Sequence, residues 1–388
     1  MKVLLINYEF PPAGGGAGYA TLNIAKTLRS MGVEADVLTA KVDDSRDGDE
    51  VEGVPVYRAG SWRKGLHDCG LRGAWTFLLS SAIRRFRLHS AKDYDLEHFF
   101  FALPTGLLRF MPGPGRAMPA VISLRGSDVP GYDPFNKKVE AIHSLIKPLT
   151  RCIWSRADSV VALSGALSAL ARKTLPNIDY MVVPNGIDEL HFSPPVEREP
   201  SANLRLVTVA RLLERKGIQD ILEACAKPEP LPVELTIIGT GQYKEKLQSL
   251  AGSLGINDRV RFVGYVSNQE LPTFYRSVDA FILPSETESF GLVFAEAMSC
   301  GLPILASNVG GIPEIVRHGV DGLLCPPARP DLLRSNIEKL VGDRLTLDRM
   351  GKSGRQRILD YFTWKRTAAE YLDIYNSVLD SSGLVTET

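Results

Sequence analysis

The sequence predicts an α/β protein with two doubly wound domains, each built on a parallel sheet. Short, nearly continuous apolar runs alternate with amphipathic stretches, as they do where helices cover both faces of a parallel sheet. The 388 residues exceed what one ordinary core accommodates, and turn formers between Pro184 and Pro195 separate two series of runs. We therefore expect domains over 1–184 and 190–363, with a ligand in a crevice at the carboxyl ends of the strands.

Each run has the length of one strand or one helix. The predicted strands of the first domain are 3–7, 34–39, 94–100, 120–124, 159–163 and 180–183. Those of the second domain are 204–209, 233–238, 260–263, 279–283, 303–306 and 322–325. Helical periodicity predicts helices over 19–31, 136–155, 218–226, 241–254 and 364–379.

The composition is that of a soluble globular enzyme, with 44% hydrophobic and 23% charged residues. The 45 basic and 45 acidic residues cancel, so the overall charge does not indicate a nucleic-acid partner. Five scattered cysteines without a C-x-x-C pair favour a reducing compartment, and the six histidines form no cluster with metal spacing. Without a signal peptide or an apolar run of ~20 residues, we expect a cytoplasmic protein with no bound metal or cofactor.

The most informative segment runs from Ser285 to Met298 and places two glutamates, Glu288 and Glu296, around the start of a helix. Eight helical residues advance about 12 Å, so the two acids are spaced to flank an elongated ligand. Free backbone N–H groups at the helix start favour an anion between them. The donors are those of Ser289, Phe290, Gly291 and Leu292. Hydroxyls at both ends and phosphate in the middle describe a sugar nucleotide; the alternative is an ordinary pair of surface glutamates.

Charged residues also follow predicted strands in both domains. Arg211 and Lys216 come after the first strand of the second domain, where two cations suit a diphosphate. Arg125 and Asp128 follow the strand 120–124 and are candidates to contact the transferred sugar or its acceptor. The alternatives are solvated loop charges for the first pair and, for the second, an ion pair that only joins loops.

A glycine-rich loop, Ala13 to Gly18, follows the first strand and the Pro11-Pro12 step. Glycines there let backbone come close to a ligand. A dinucleotide-binding loop would read G-x-G-x-x-G directly after the strand, with an acid after the second strand. This loop lacks the final glycine, and Asp43 is a poor ribose-binding candidate, so an NAD dehydrogenase is a weak alternative. A flexible loop and a substrate-binding loop both remain open.

The stretch from Ala74 to His89 combines apolar residues with three arginines. The apolar positions are 75, 78, 79, 82, 83 and 86. This pattern leaves two interpretations open, a helix packed on the sheet with a solvated basic edge and a basic amphipathic helix on an anionic membrane.

Five segments together resemble the family-4 glycosyltransferases, retaining nucleotide-sugar enzymes with the GT-B fold. The second domain carries the more specific part of this resemblance, and the first carries less of it. The segments are Glu288-Ser-Phe-Gly-Leu-Val-Phe-Ala-Glu296, Arg211 with Lys216-Gly217, Arg261 to Tyr265, Pro184 to Asp188, and Gly310 to Glu314.

The resemblance implies a role for each matching position. Glu288 would hold hydroxyls of the donor sugar, and Glu296 those of the ribose. Arg211 and Lys216 would bind the diphosphate, helped by the amides from Phe290 to Val293. The base would border Val263, Gly264 and Tyr265, and Gly15 and Gly16 would approach the diphosphate from the first domain. A C-terminal helix over 364–380 would cross back to join that first domain.

One departure concerns Arg125, where members of the family often carry histidine. Arginine keeps its proton, so it cannot act as a base, and we hypothesise that it reads an anionic group on acceptor or donor. The expected function is transfer of a sugar from a UDP- or GDP-type donor to a hydroxyl acceptor, in polysaccharide, lipid-linked glycan or glycoconjugate synthesis, with peripheral membrane contact as one option. The alternatives are a sugar-nucleotide epimerase of the same fold and a non-catalytic sugar-nucleotide-binding subunit.

Overall fold

The chain divides into two compact units. The computed structural model describes residues 1–42, 48–65, 69–111, 118–199 and 201–383, so that Asp43 lies outside the described residues. The first unit comprises Met1–Gly186 and Trp364–Thr388, and the second comprises Ile187–Thr363. The two-domain α/β fold class is confirmed.

The first unit is built on one sheet, which has eight strands within the described ranges. The strands are β1 (Lys2–Ile6), β2 (Glu34–Ala40), β3 (Glu50–Val51), β4 (Val54–Ala59), β5 (Leu96–Phe100), β6 (Ala120–Leu124), β7 (Ser159–Ala162) and β8 (Tyr180–Val182). They lie in the order β3-β4-β2-β1-β5-β6-β7-β8, and β3 pairs antiparallel with β4 while the other pairs are parallel. The six predicted strands are confirmed to within two residues at either end.

Helices cover both faces of this sheet. They are α1 (Gly16–Ser30), α2 (Gly70–Ala91), α3 (Lys137–Trp154), α4 (Gly165–Arg172) and α12 (Trp364–Ser381). A 3-10 helix, Thr105–Phe110, joins β5 to β6. Because crossovers between parallel strands are right-handed, α2, this 3-10 helix and α3 lie on one face. On the other face α1 packs against α12, whose Ala368, Tyr371 and Tyr375 are buried.

The second unit repeats the architecture with a six-stranded sheet, counted over its described residues. Its strands are β9 (Leu204–Val209), β10 (Val233–Ile238), β11 (Val260–Gly264), β12 (Ala280–Leu283), β13 (Ile304–Ser307) and β14 (Gly322–Cys325). Its helices are α5 (Ile218–Ala226), α6 (Lys244–Ser253), α7 (Leu271–Arg276), α8 (Leu292–Ser299), α9 (Ile312–Ile315), α10 (Pro330–Leu340) and α11 (Arg344–Tyr361). All strand pairs are parallel.

The strand order of each sheet reverses at one point. In the second unit the order is β11-β10-β9-β12-β13-β14, so the chain turns back between β9 and β12. In the first unit the reversal falls between β1 and β5. Loops that leave adjacent strands in opposite directions open a crevice, and ligands of such sheets bind there at the carboxyl ends of the strands.

Candidate functional site

The loops after β9 and β12 meet at the reversal point of the second unit. The loop after β9 forms a 3-10 turn, Glu214–Lys216, that ends at Gly217 with φ 70°. A Cβ atom at Gly217 would lie 2.3 Å from the carbonyl oxygen of Pro284, at the end of β12. Glycine is therefore required here both by the left-handed backbone and by the close approach of the two loops.

Lys216 and Glu288 form an ion pair between these two loops. The Lys216 Nζ lies 2.7 Å from the Glu288 Oε2, and the side chains are 15% and 12% exposed. Next to them, the Arg215 guanidinium donates to the Thr287 hydroxyl at 3.1 Å, and the Glu286 N–H donates to the Arg215 carbonyl at 2.9 Å. The result is a cation and a carboxylate, both partly accessible, fixed side by side where the fold binds ligands.

Glycines of the loop after β13 and of its own loop hold Glu288 in place. The Gly311 N–H donates to the Glu288 carbonyl at 3.0 Å. Gly310 has φ 54°, and a Cβ atom there would lie 2.0 Å from the same carbonyl oxygen. On the other side, a Cβ atom at Gly291 would lie 3.0 Å from the Glu288 Cγ. Three adjacent strands, β9, β12 and β13, thus deliver the loops that position this one carboxylate.

Helix α8 begins later than the sequence predicts. Its first residue is Leu292, because Gly291 has φ 86° and its left-handed backbone lies outside the helix. Ser289 and Phe290 precede the helix, so the helical rise of about 12 Å from Glu288 to Glu296 does not apply. The first N–H groups of the helix belong to Leu292 and Val293. The Phe290 ring is buried and packs against Phe362, with ring centroids 5.9 Å apart.

Glu296 lies deeper in the second unit, on the buried side of α8. It is 7% exposed, and its Oε2 accepts a hydrogen bond from the Tyr275 hydroxyl at 3.0 Å. Burial raises the pKa of Glu296 to about 7, although the Tyr275 hydrogen bond acts in the opposite direction. This carboxyl group therefore changes protonation near neutral pH.

The other predicted residues of the second unit lie at neighbouring strand ends. Arg211 is exposed two residues beyond β9. Val263 and Gly264 end β11, where Gly264 has φ 88°, and the next residue, Tyr265, is 68% exposed. These residues line the same edge of the sheet as Lys216 and Glu288, because the carboxyl ends of parallel strands share an edge.

Two glycines at this edge were missed by the sequence analysis. Cβ atoms at Gly239 and Gly241 would lie 1.9 Å and 2.3 Å from the carbonyl oxygens of Ala210 and Leu212. The Gly239 N–H also donates to the Gly264 carbonyl at 2.7 Å. The loop after β10 therefore supports the Arg211 loop from behind. A glycine pair directly after a buried strand was the available signal.

In the first unit, the glycine loop lies at the reversal point beside β1. Gly15 and Gly16 are exposed, and the Gly15 N–H donates to the Glu9 Oε2 at 3.4 Å. Gly14 has φ 90°, and a Cβ atom there would lie 2.6 Å from the Glu9 Cβ. A Cβ atom at Gly15 would meet no atom of the described residues within 4 Å. Gly14 is thus needed for the loop itself, whereas Gly15 faces open space.

Arg125 is buried at the end of β6. Its guanidinium donates to the Asn185 Oδ1 at 2.8 Å, bonds to the Tyr371 hydroxyl of α12, and lies 5.4 Å from the centre of the Phe100 ring. Two neutral groups and an aromatic face contact the guanidinium directly, and the Asp128 carboxylate also favours its charge, whereas Lys216 contacts a carboxylate directly.

Asp128 organises the loop that follows β6. Its carboxylate accepts N–H groups from Ala102 at 2.7 Å, from Arg125 at 2.9 Å and from Gly126 at 3.1 Å. Burial nevertheless raises the pKa of Asp128. A cavity of about 200 Å³ lies beside it, with apolar residues of α3 on one wall. The lining residues are Tyr8, Leu103, Ser127, Asp128, Val139, Ile142, His143 and Ile146.

Two doubly wound parallel-sheet units, with glycine-supported loops at their strand ends, define the GT-B class of glycosyltransferase folds. Residues 15–186 match the family described as "Glycosyl transferase 4-like domain", and residues 192–357 match "Glycosyl transferases group 1". Together the matches span most of both units. The chain belongs to this family of glycosyltransferases, and it is a glycosyl-transferring enzyme.

Relatives and solved structures match over nearly the whole chain. A GDP-mannose-dependent alpha-(1-6)-phosphatidylinositol monomannoside mannosyltransferase of Mycobacterium tuberculosis is 28% identical over 96% of this chain and 97% of its own. Sucrose-phosphate synthase from Thermosynechococcus elongatus superposes with a TM-score of 0.86 at 23% identity, covering 98% of this chain and 100% of that one. Anabaena HepE in complex with UDP and glucose superposes with a TM-score of 0.73 at 21% identity, covering 97% and 100%.

Proposed function

We propose that the protein transfers a sugar from a nucleoside-diphosphate donor to a hydroxyl acceptor with retention of the anomeric configuration. The observation that carries this proposal is the 2.7 Å pair of Lys216 and Glu288 at the reversal point of the second sheet. The cation suits a phosphate oxygen and the carboxylate suits sugar hydroxyls, so the two groups match neighbouring parts of one sugar nucleotide. Two similar proteins, a GDP-mannose-dependent mannosyltransferase and HepE in complex with UDP and glucose, support a donor of this kind.

In this proposal each group of the second unit meets one part of the donor. Lys216 and Arg211 neutralise the diphosphate, together with the N–H groups of Leu292 and Val293 at the start of α8. Glu288 holds hydroxyls of the transferred sugar, and Glu296 those of the ribose. The base borders Val263, Gly264 and Tyr265. Ser289, Phe290 and Gly291 shape the turn before α8. In the first unit, Gly15 and Gly16 let a ligand come close to the backbone.

The proposed reaction rests on stabilising the leaving group. The acceptor oxygen forms a bond to the anomeric carbon as the bond from that carbon to the diphosphate oxygen breaks. The acceptor's proton passes to the departing diphosphate on the same face of the sugar, so no protein base is needed. Lys216 and Arg211 lower the barrier because they face charge that grows in the transition state.

Acceptor binding is assigned to the first unit. The cavity beside Asp128 combines polar groups with an apolar wall, which suits an acceptor that carries both, such as a lipid-linked glycan. The buried contacts of Arg125 and Asp128 favour a role in stabilising the loop after β6. Direct contact of Arg125 with an anionic group of the substrate is the alternative.

Thermal unfolding in the presence of UDP, GDP, ADP and their sugar derivatives tests the proposal. A ligand of the folded state at about 100 times its Kd stabilises by roughly 2.7 kcal/mol, so one base should stand out by a clear rise in Tm. NMR of the product then reports the anomeric configuration. Conversion of the donor without any acceptor would instead identify an epimerase. Binding without turnover on any acceptor would favour a non-catalytic subunit, and no Tm rise with any nucleotide would refute the proposal.

A further inference from the structure

Helix α2 has a second apolar face that the sheet does not cover. Its buried face, including Phe77, Leu78 and Leu88, packs on the sheet. Five large apolar side chains point outward, Leu71 (74% exposed), Trp75 (61%), Leu79 (58%), Ile83 (59%) and Phe86 (52%). Steps of three or four residues keep them within an arc of about 120°. An ordinary surface helix presents polar residues on this side, so the outer face of α2 needs a partner.

Helix α3 continues this apolar surface in the same layer of the first unit. Its buried residues, Thr150, Ile153 and Trp154, are confined to its last turns. Exposed apolar residues follow its outer side, and Phe110 is exposed on the 3-10 helix that contacts both α2 and α3. We call the whole set the apolar platform. It consists of Leu71, Trp75, Leu79, Ile83, Phe86, Phe110, Phe135, Ile142, Leu145 and Leu149.

Positive charge surrounds the apolar platform although the chain as a whole is neutral. Helix α2 contains four arginines and no acid, and α3 contains four cations against Glu140 alone. One of the arginines, Arg72, stacks over the exposed ring of Trp62 at 4.4 Å. The exposed cations at the platform are Lys64, Arg72, Arg87, Lys137, Lys138, Lys147, Arg151 and Arg156. Charge is therefore concentrated on the face that is also apolar.

We propose that the apolar platform docks this protein on an anionic lipid surface. Outward aromatic and aliphatic side chains enter the headgroup boundary, and flanking Lys and Arg attract acidic headgroups. A second copy of the chain fits this face poorly, because two-fold pairing would bring its cations against their own copies. In the described part of the chain no helix is long and apolar enough to cross a bilayer, so the contact is superficial. This inference goes beyond glycosyl transfer and does not depend on it.

Vesicle co-sedimentation of the full chain tests the proposal. We expect binding to phosphatidylcholine vesicles that contain phosphatidylglycerol, and little binding to phosphatidylcholine alone. Binding should weaken as salt is added, because screening acts on exposed charges. Equal binding to both kinds of vesicle, or none to either, would overturn the proposal.

Two variants separate the apolar from the electrostatic contribution. In the first, Trp75→Ser, Leu79→Ser and Ile83→Ser are combined, and we expect binding to anionic vesicles to be lost. In the second, Lys138→Gln, Lys147→Gln and Arg151→Gln are combined. Each removed charge should weaken binding about fivefold, which gives a loss on the order of a hundredfold.

A matched control takes one exposed apolar residue and one exposed cation from α11 in the second unit. The control variant is Leu345→Ser with Lys352→Gln, and it should bind vesicles like the unaltered protein. Circular dichroism and thermal unfolding establish that all variants fold. A platform variant that folds and still binds would refute the proposal. Light scattering that shows a dimer lost in the apolar variant would instead make this face an interface between copies.

The lipid-docking proposal and the glycosyl-transfer proposal are tested by independent measurements. Vesicle binding is measured without nucleotide, and the nucleotide-induced rise in Tm is measured without lipid. We expect both platform variants to keep that rise, because the platform belongs to the first unit and the donor is assigned to the second. Loss of vesicle binding with the Tm rise intact would support docking by the apolar platform.

Discussion

Two cations at strand ends, Lys216 in the second unit and Arg125 in the first, have opposite surroundings. Lys216 is partly accessible and pairs with a carboxylate at 2.7 Å, whereas Arg125 is 7% exposed and is held by Asn185, Tyr371 and the Phe100 ring. A loop cation with a charged partner can exchange that partner for a phosphate oxygen at little extra cost of desolvation. A buried guanidinium must leave interior contacts to do the same. Position at a strand end alone therefore does not identify a ligand-binding cation.

The largest effect that this comparison predicts is on turnover. Lys216→Ala should lower kcat by about 10²–10³, roughly 2.7–4 kcal/mol of transition-state stabilisation. Binding of the free nucleoside should change little, because Lys216 is assigned to the diphosphate. Steady-state kinetics and calorimetry with nucleoside and nucleoside diphosphate check both parts. Lys352→Ala, at an exposed position of α11, is the control and should leave both turnover and nucleotide binding unchanged. Near-normal turnover in the Lys216 variant would contradict the assignment.

A second prediction compares the pH dependence of the two units. The pKa of Glu296 is raised to about 7 by burial, above its unfolded value of 4.5. The protonated form is thus favoured in the fold, so this contribution to stability is complete below pH 4.5 and is lost as pH rises through about 7. The loss amounts to roughly 3 kcal/mol. Urea unfolding at about pH 5 and about pH 8 should show this loss of unfolding free energy in the unaltered protein but not in Glu296→Gln.

The first unit should respond to pH with the opposite sign. His98 bonds to the Tyr375 hydroxyl and to the Ser123 hydroxyl, both at 2.7 Å, and burial together with Arg125 lowers its pKa well below 6.5. It therefore stays neutral in the fold, and stability is lost as pH falls below 6.5. His98→Asn should flatten the acid limb of the stability curve and leave the Glu296 effect intact. If Glu296→Gln and His98→Asn altered the pH dependence of the unfolding free energy in the same direction, the predicted contrast between the two units would be wrong.

Most strands could be predicted from the sequence because apolar residues dominate each buried parallel strand. The strand β10, Val233–Ile238, was predicted to the residue. The strand β3 was missed because it has only two residues, Glu50 and Val51, and β4 was missed because Pro55 and Arg58 interrupt its apolar pattern. The periodicity of α2 predicted the helix but not which apolar positions are covered. Leu78 is buried and Leu79 is exposed, and only the packing of the sheet decides between neighbours.

The site residues could be placed at strand ends, but their contacts could not be derived. Lys216 and Glu288 are 72 residues apart, and their 2.7 Å contact depends on β9 and β12 being neighbours in the sheet. The Asn185 partner of Arg125, 60 residues away, has no signal in the local sequence. The sequence pattern predicts too early a start for α8, because it gives no sign that Gly291 lies outside the helix. Gly291 has a left-handed backbone, and a Cβ atom there would lie 2.4 Å from the Phe294 Cδ2 and 3.0 Å from the Glu288 Cγ, a packing that the sequence pattern does not reveal.

The smallest of the predicted effects concerns Arg125. Arg125→Met leaves the Asn185 amide oxygen without its buried donor, so we expect a loss of about 2 kcal/mol in unfolding free energy, measured with urea. Nucleotide affinity should not change, in contrast to Lys216→Ala.

Arg125→His sharpens the test, since histidine is the residue that many members of the family carry there. If Arg125 only stabilises the loop after β6, the preference for anionic over neutral acceptors will be the same in this variant and the unaltered protein. A shift of that preference towards neutral acceptors would mean that the guanidinium leaves Asn185 to bind substrate, and the two cations would then be alike.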